Sequence, residues 1–153
     1  MPAPRLTLRG VRYRAVEVPM TYVLGTSAAA VRAAPLMLVD VETAEGVTGR
    51  TYLFCYTRAA ALPVKCMIDD AALALAGAAL DPAAWWALLN RRYTLIGVQG
   101  IVRMAMAALD TACWDALAIA ARVPLATMLG GAPKSIPAYN SCGLGLMAPA
   151  ATP

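Results

Sequence analysis

Two carboxylates on one long apolar stretch, Asp110 and Asp115, are the first residues whose types invite acid–base chemistry. Five positions apart on a helix, they diverge by well over a right angle, so they cannot converge on one proton. They read as structural. The four cysteines, Cys55, Cys66, Cys113 and Cys142, are scattered with no C-x-x-C pair, and the chain has no histidine. A structural zinc site draws on clustered Cys and His, so none is expected. The missing histidine removes Ser-His-Asp and Cys-His catalysis from this chain. Buried, reduced thiols are the plain reading of the cysteines.

The elements that would position any site follow from periodicity. Leu6 and Leu8 share one face, and the alternation then changes phase at Gly10, so that Val11, Tyr13 and Ala15 become the apolar set. A bulge at Gly10 accounts for the slip. Pro19 ends this strand, and Met20 to Ala34, with Gly25, Thr26 and Ser27, reads as a long connection. Leu36 to Thr43 is a second strand, Ala44-Glu45-Gly46 a tight turn, and Val47 to Tyr52 a third strand returning antiparallel. Thr57 can cap a helix running to about Ala76, with Pro63 expected to bend it or delay its start. Asp81-Pro82 pairs a capping carboxylate with proline at the first helical position. The longest helix spans about Gln99 to Ala121. Its broad apolar face carries Ile101, Val102, Ala105, Ala108, Leu109, Ala112, Ala116 and Ile119, with Arg103, Asp110 and Trp114 opposite. Pro124 to Leu129 forms a last short turn ended by Gly130-Gly131. Ile136 to Ser141 then reads as an isolated strand. The fold class is therefore α+β: a three-stranded antiparallel meander packed on three or four helices.

Composition narrows the function classes. The 153 residues are 60% hydrophobic and 14% charged, with a net charge of +4. One core of ordinary size is expected. A membrane span needs roughly 18–20 consecutive apolar residues, and the apolar stretches are cut by Asp81, Arg103, Asp110 and Asp115 or by prolines and glycines. Neither a membrane location nor a secretory leader is expected, which makes the cytoplasm the default. Arg5, Arg9, Arg12 and Arg14 form the most basic segment, but they alternate with apolar residues as the wet face of a strand does. No nucleic acid is expected as a partner.

The run RMAMAALDTACWDALAIAARVPLATMLG, from Arg103 to Gly130, resembles the helical signature of the mandelate racemase and muconate lactonizing enzyme family, within the enolase superfamily. Ala105, Ala107, Ala108, Leu109, Asp110, Ala112, Asp115, Ala118, Pro124, Leu125, Leu129 and Gly130 fit its pattern, while Cys113, Ile119 and Met128 depart from it. Two further stretches, Thr51 to Thr57 (TYLFCYT) and Ala34 to Asp40 (APLMLVD), look most like the mandelate racemase branch. The resemblance implies an N-terminal capping domain, residues 1–133, followed by a linker and first barrel strand, residues 134–153. The remaining barrel would lie beyond Pro153 and would be the domain's own partner. It would hold Mg²⁺ on three carboxylates and carry opposed lysine and histidine bases, so this chain alone is expected to be inactive.

The same resemblance implies that two loops, Met20 to Ala34 and Leu53 to Thr57, close over a small-molecule carboxylate substrate. Val23, Leu24 and Thr26 fall in the first. Tyr56 matches a substrate-facing tyrosine in the second, and Ser141 a serine on the first barrel strand. Tyr52, Phe54 and Tyr56 make the second loop aromatic, which suits a 2-hydroxy acid with an aryl or apolar substituent. An isomerase that removes and returns the α-proton is the first expectation, a homo-oligomer when full length. An acid-sugar dehydratase of the same superfamily, or a free-standing interaction domain of the cap fold, are the alternatives.

Overall fold

The computed structural model describes residues 5–25 and 30–138. Three strands, β1 (Leu8–Gly25), β2 (Ala30–Thr43) and β3 (Thr48–Phe54), form an antiparallel sheet in the order β1-β2-β3. Four helices follow: α1 (Arg58–Leu75), α2 (Pro82–Arg92), α3 (Ile101–Ala121) and the single turn α4 (Leu125–Met128). The α+β meander on a helical layer is as the periodicity implies.

Alternation sets the faces. Met37, Val39 and Val41 on β2 are buried against the helices, while Leu38, Asp40 and Glu42 face away. The register slips between Leu8 and Gly10, at the expected bulge. Before the slip, Leu6 and Leu8 are buried and their backbone bonds to the segment after α1, with Leu8 N–H donating to Ala78 O and Leu80 N–H to Leu6 O. Gly46, at φ +84°, makes the β2–β3 turn, and the buried Thr43 hydroxyl is satisfied across it by Val47.

The expected connection from Met20 to Ala34 is instead mostly strand. β1 continues through Pro19 to Gly25, and β2 begins at Ala30 rather than Leu36, so the two form a long hairpin arm. Proline is tolerated because β1 is the sheet's edge, and the register shifts again between Pro19 and Leu24. Thr21, Tyr22 and Val23 on β1 and Val31 on β2 supply β-branched and aromatic residues to the arm. β3 likewise runs two residues past Tyr52.

The helices start where their caps lie. Thr57 Oγ1 accepts from Ala59 N–H, and Asp81 Oδ1 from Ala84 N–H with Pro82 next. α1 begins before Pro63 and runs through it, so the proline does not delay the start. α3 is the spine of the core, touching β2, β3, α1 and α2. Its length and hydropathy would suffice for a membrane span, yet ten of its residues are buried within this domain. Val102, Ala105, Ala108, Leu109, Ala112 and Ala116 face inward as their period implies. Ile119 does not: it is 47% exposed, whereas Met106, Cys113, Leu117 and Ala118 are buried. With neighbours on several sides, the buried arc of α3 is wider than one stripe and rotated off Ile119. Nor do Arg103, Asp110 and Trp114 form a wet face, since all three are half-buried and the Arg103 guanidinium lies 4.7 Å from the Trp86 ring centroid.

The strand expected from Ile136 is not found. Residues 131–138 have no regular structure and are exposed, with no strand beside them among the described residues to take their backbone bonds. Residues 139–141 of that expected strand lie outside the described residues.

α1 and α2 are tied by Asp70, which accepts from both Arg92 Nε and Nη2 at 2.7 Å and from Tyr93 Oη at 2.8 Å. Those donors hold the Asp70 carboxyl at about 2. A lowered folded-state value means the stability it contributes is present above its unfolded value and lost as pH falls toward 2. Because both side chains are about 40% exposed, the contribution is under about 1 kcal/mol. Asp70→Asn should therefore lower the urea midpoint at pH 6 and converge with the parent chain near pH 2. A stronger test of the packing is Gly49→Ala. An added Cβ would overlap Ala112 O and sit 2.6 Å from Ala116 N. That substitution should cost about 3 kcal/mol in urea unfolding.

Candidate functional site

The β3–α1 junction carries Tyr56, which with Val23 is one of the two candidate site residues whose side chains the structure describes. Cys55 is buried, and its N–H donates to Pro35 O at 2.8 Å, anchoring the end of β3 to β2. Thr57 N–H then donates to Cys55 O at 2.7 Å, closing a three-residue turn around Tyr56. The central residue of such a turn, at φ +61°, is strained for any side chain with a Cβ. The turn is nonetheless locked, because Cys55 is held on one side and Thr57 caps α1 on the other. It presents the Tyr56 ring outward, 72% exposed, edge-on to Phe54 with ring centroids 4.9 Å apart and planes at 83°.

The base of the hairpin arm meets this junction. Glu17 Oε2 lies 3.3 Å from Arg58 Nε at the start of α1. An open cavity of about 190 Å³ sits there, lined by Ala15, Val16, Glu17, Pro35, Arg58 and Ala61. Sequence reasoning missed Glu17 and Arg58. They are 41 positions apart and belong to no local pattern, so only the fold pairs them. Val23 is half-buried on β1, within the register shift between Pro19 and Leu24. It does not line the cavity beside Tyr56. Leu24 pairs with Val31 in the ladder. Thr26, Ser141 and the side chain of Leu24 lie outside what the structure describes.

The other chemistry-bearing residues have structural partners. Asp115 Oδ2 accepts from Arg50 N–H at 2.8 Å, clipping β3 to α3. Asp110 is not paired with it, and burial pushes its carboxyl up. Burial, reinforced by Asp110 and Asp81, pushes the Cys113 thiol up to about 12, and burial raises Cys55 too. Neither is a thiolate nucleophile at neutral pH. Trp85 is buried with its Nε1–H on Ala79 O.

Among the described residues no group of three Asp, Glu or Cys side chains could hold a metal ion. Asp40 and Glu42 are engaged by Arg9, Arg12 and Arg50, and Asp69 by Lys65 and Tyr13. This donor set does not suit Mg²⁺.

This architecture matches known proteins. The description "Mandelate racemase / muconate lactonizing enzyme, N-terminal domain" fits residues 9–130. The chain belongs to this family. It is the N-terminal capping domain of the enolase superfamily, and it spans roughly a third of the length of the relatives it matches. A crystal structure of an enolase from Bradyrhizobium, complexed with magnesium and mandelic acid, is 41% identical. It has a TM-score of 0.83, covering 89% of this chain and 38% of that one. A 3,6-anhydro-alpha-L-galactonate cycloisomerase of Streptomyces coelicolor is 30% identical over 122 residues, 76% of this chain and 32% of that protein. An L-talarate dehydratase from a Polaromonas species, complexed with Mg and L-glucarate, is 26% identical with a TM-score of 0.68. There the match covers 86% of this chain and 36% of the other.

The strain at Tyr56 is directly measurable. Glycine carries no Cβ penalty at φ +61°, and little burial is lost with an exposed ring. Tyr56→Gly should raise stability by about 0.5–1 kcal/mol in thermal or urea unfolding.

Proposed function

We propose that this domain is the substrate cap of a longer, mandelate-racemase-like isomerase, which removes and returns the proton α to the carboxylate of a 2-hydroxy acid. The observation that carries the reading is the Phe54–Tyr56 edge-to-face pair, presented outward on a strained, locked turn. Strain held in place by its surroundings at an exposed residue points to function. The 41% identical Bradyrhizobium structure with magnesium and mandelic acid supports an aryl-bearing substrate. In this reading residues 1–133 are the cap and 134–153 lead into a barrel, the cap's partner.

The residues proposed to face substrate are Val23, Leu24, Thr26, Tyr56 and Ser141. Tyr56 would offer an aromatic edge to the substrate's apolar group, and the hairpin arm would exclude water from the closed site. Mg²⁺, if held by a barrel, would supply Lewis-acid stabilisation of negative charge on the substrate. The second reading is an acid-sugar dehydratase, favoured by the relatives named for sugar acids. Against it, a polyhydroxy substrate gains little from an exposed aromatic pair. A free-standing interaction domain of the cap fold is the third.

Circular dichroism of mandelate enantiomers, with Mg²⁺ present, separates these. The 153-residue chain alone should racemise nothing. The protein encoded with the sequence downstream of Pro153 should turn mandelate over. In it, Tyr56→Ala should lower kcat/KM about 10–100-fold, or about 1.4–2.7 kcal/mol. Turnover by the chain alone, or a parent protein that dehydrates sugar acids and leaves mandelate untouched, would overturn the reading.

A further inference from the structure

The hairpin arm leaves the sheet at one row, and that row carries an ion pair for which the cap reading has no role. Pairing of β3 with β2 ends at Leu36 and Phe54, and Pro35 is the next residue of β2 outward. Its carbonyl accepts from Cys55 N–H, so the backbone of Pro35 turns toward the β3 side. The Glu17–Pro35 row of the β1–β2 ladder is therefore a non-hydrogen-bonded one, in which facing side chains stand closest. Proline costs that ladder no bond there. Past this row the arm has no third strand, and its register slips between Pro19 and Leu24. Its underside is not packed either. The open cavity of about 190 Å³ separates the arm's base from the start of α1, and Ala15 on one side and Ala61 on the other are too short to fill it. Glu17, on the same face as the buried Pro35, reaches across that gap to Arg58 at 3.3 Å. Among the described residues this is the one ion pair between β1 and α1.

We propose that the Glu17–Arg58 pair is a latch that fixes the angle of the hairpin arm against the Tyr56 turn, which makes Glu17 and Arg58 positioning residues for substrate binding. The substrate-cap reading is needed only for what the arm closes over. The latch itself follows from the fold. A two-stranded ribbon with nothing beneath it bends most easily where the third strand ends, and Glu17 occupies that row. Arg58 follows Thr57, which caps α1, and Thr57 closes the turn around Tyr56. The far end of the latch thus stands on the same locked turn that aims the ring, so arm and ring share one anchor. The Arg58 side chain is 82% exposed and that of Glu17 41%, so the pair is solvated and open to screening by salt. Such a pair adds little to global stability, but it biases the balance of arm positions by about two- to fivefold. That strength suits a clamp that must also release its ligand. A ligand that needs the arm in place binds more weakly in proportion to the time the arm is elsewhere.

Spin-label distances in the 153-residue chain test the latch without reference to any reaction. Labels at Tyr22→Cys on the arm and Leu62→Cys on α1, both exposed positions, report the angle once Cys66 and Cys142 are replaced by Ser. Circular dichroism verifies that each variant is folded. Glu17→Gln and Arg58→Gln should each raise the population outside the parent distance peak about two- to fivefold. Glu17→Arg combined with Arg58→Glu should restore the peak. High salt should broaden the distribution of the parent chain and leave that of Glu17→Gln as it is. The longer protein supplies the second readout, with mandelate or a sugar acid as substrate, whichever turns over. There Glu17→Gln should raise KM about two- to fivefold, more than it lowers kcat, and the charge-reversed pair should recover it. A distance distribution indifferent to Glu17→Gln, or one not recovered by charge reversal, would overturn the latch. So would a displaced arm with an unchanged KM. Both readouts obtained with a sugar acid instead of mandelate would support the latch and overturn only the isomerase reading.

Discussion

The close approach of β3 to α3 at Gly49 sets the spacing that the rest of the domain inherits. Any side chain at Gly49 would meet the α3 backbone at Ala112 and Ala116, so strand and helix touch main chain to main chain. With no side chain between them, α3 lies low enough for Met37, Val39 and Val41 to reach it from β2, and α1 packs against the same helix from another side. The Arg50 N–H to Asp115 bond one residue on holds the contact in register along both elements. Shape complementarity at this density leaves little room for adjustment, because a packed interior does not deform continuously.

That rigid seam explains how a strained residue survives at the end of β3. A non-glycine residue at positive φ costs about 1–3 kcal/mol and relaxes unless its neighbours are fixed. Here Cys55 is buried and bonded to Pro35, and Thr57 is committed to capping α1. The three-residue turn has nowhere to relax to. Tyr56 is consequently aimed by the scaffold rather than by contacts of its own ring, apart from Phe54. The arm on the other side of the junction is different in kind. Two strands beyond the reach of β3 have only each other, and a lone two-stranded ribbon is marginal in water.

Charge is arranged on the periphery. The carboxylates of Asp40, Glu42, Asp69 and Asp70 each meet a cation. Such exposed pairs contribute little to stability, but they specify which strand and helix ends lie together. They also leave no clustered acids for a divalent ion among the described residues.

Local signals in the sequence determined the turns, the caps and the order of elements. Gly46 after Ala44-Glu45, Thr57 before α1 and Asp81-Pro82 before α2 each act within a few residues, and period alone placed most of the buried face of α3. The motif from Arg103 to Gly130 carried the family. Tertiary structure decided what no local pattern encodes. It pulled Met20 to Val23 into a strand despite Pro19, because an edge position does not need the missing N–H. It turned Ile119 outward and buried Met106 and Leu117, because neighbours on several sides define the α3 interior. It joined Glu17 to Arg58 across 41 residues. And it put Tyr56 at positive φ, a conformation its residue type disfavours, since the energy that holds it there lies in Cys55, Pro35 and Thr57 rather than in the tyrosine.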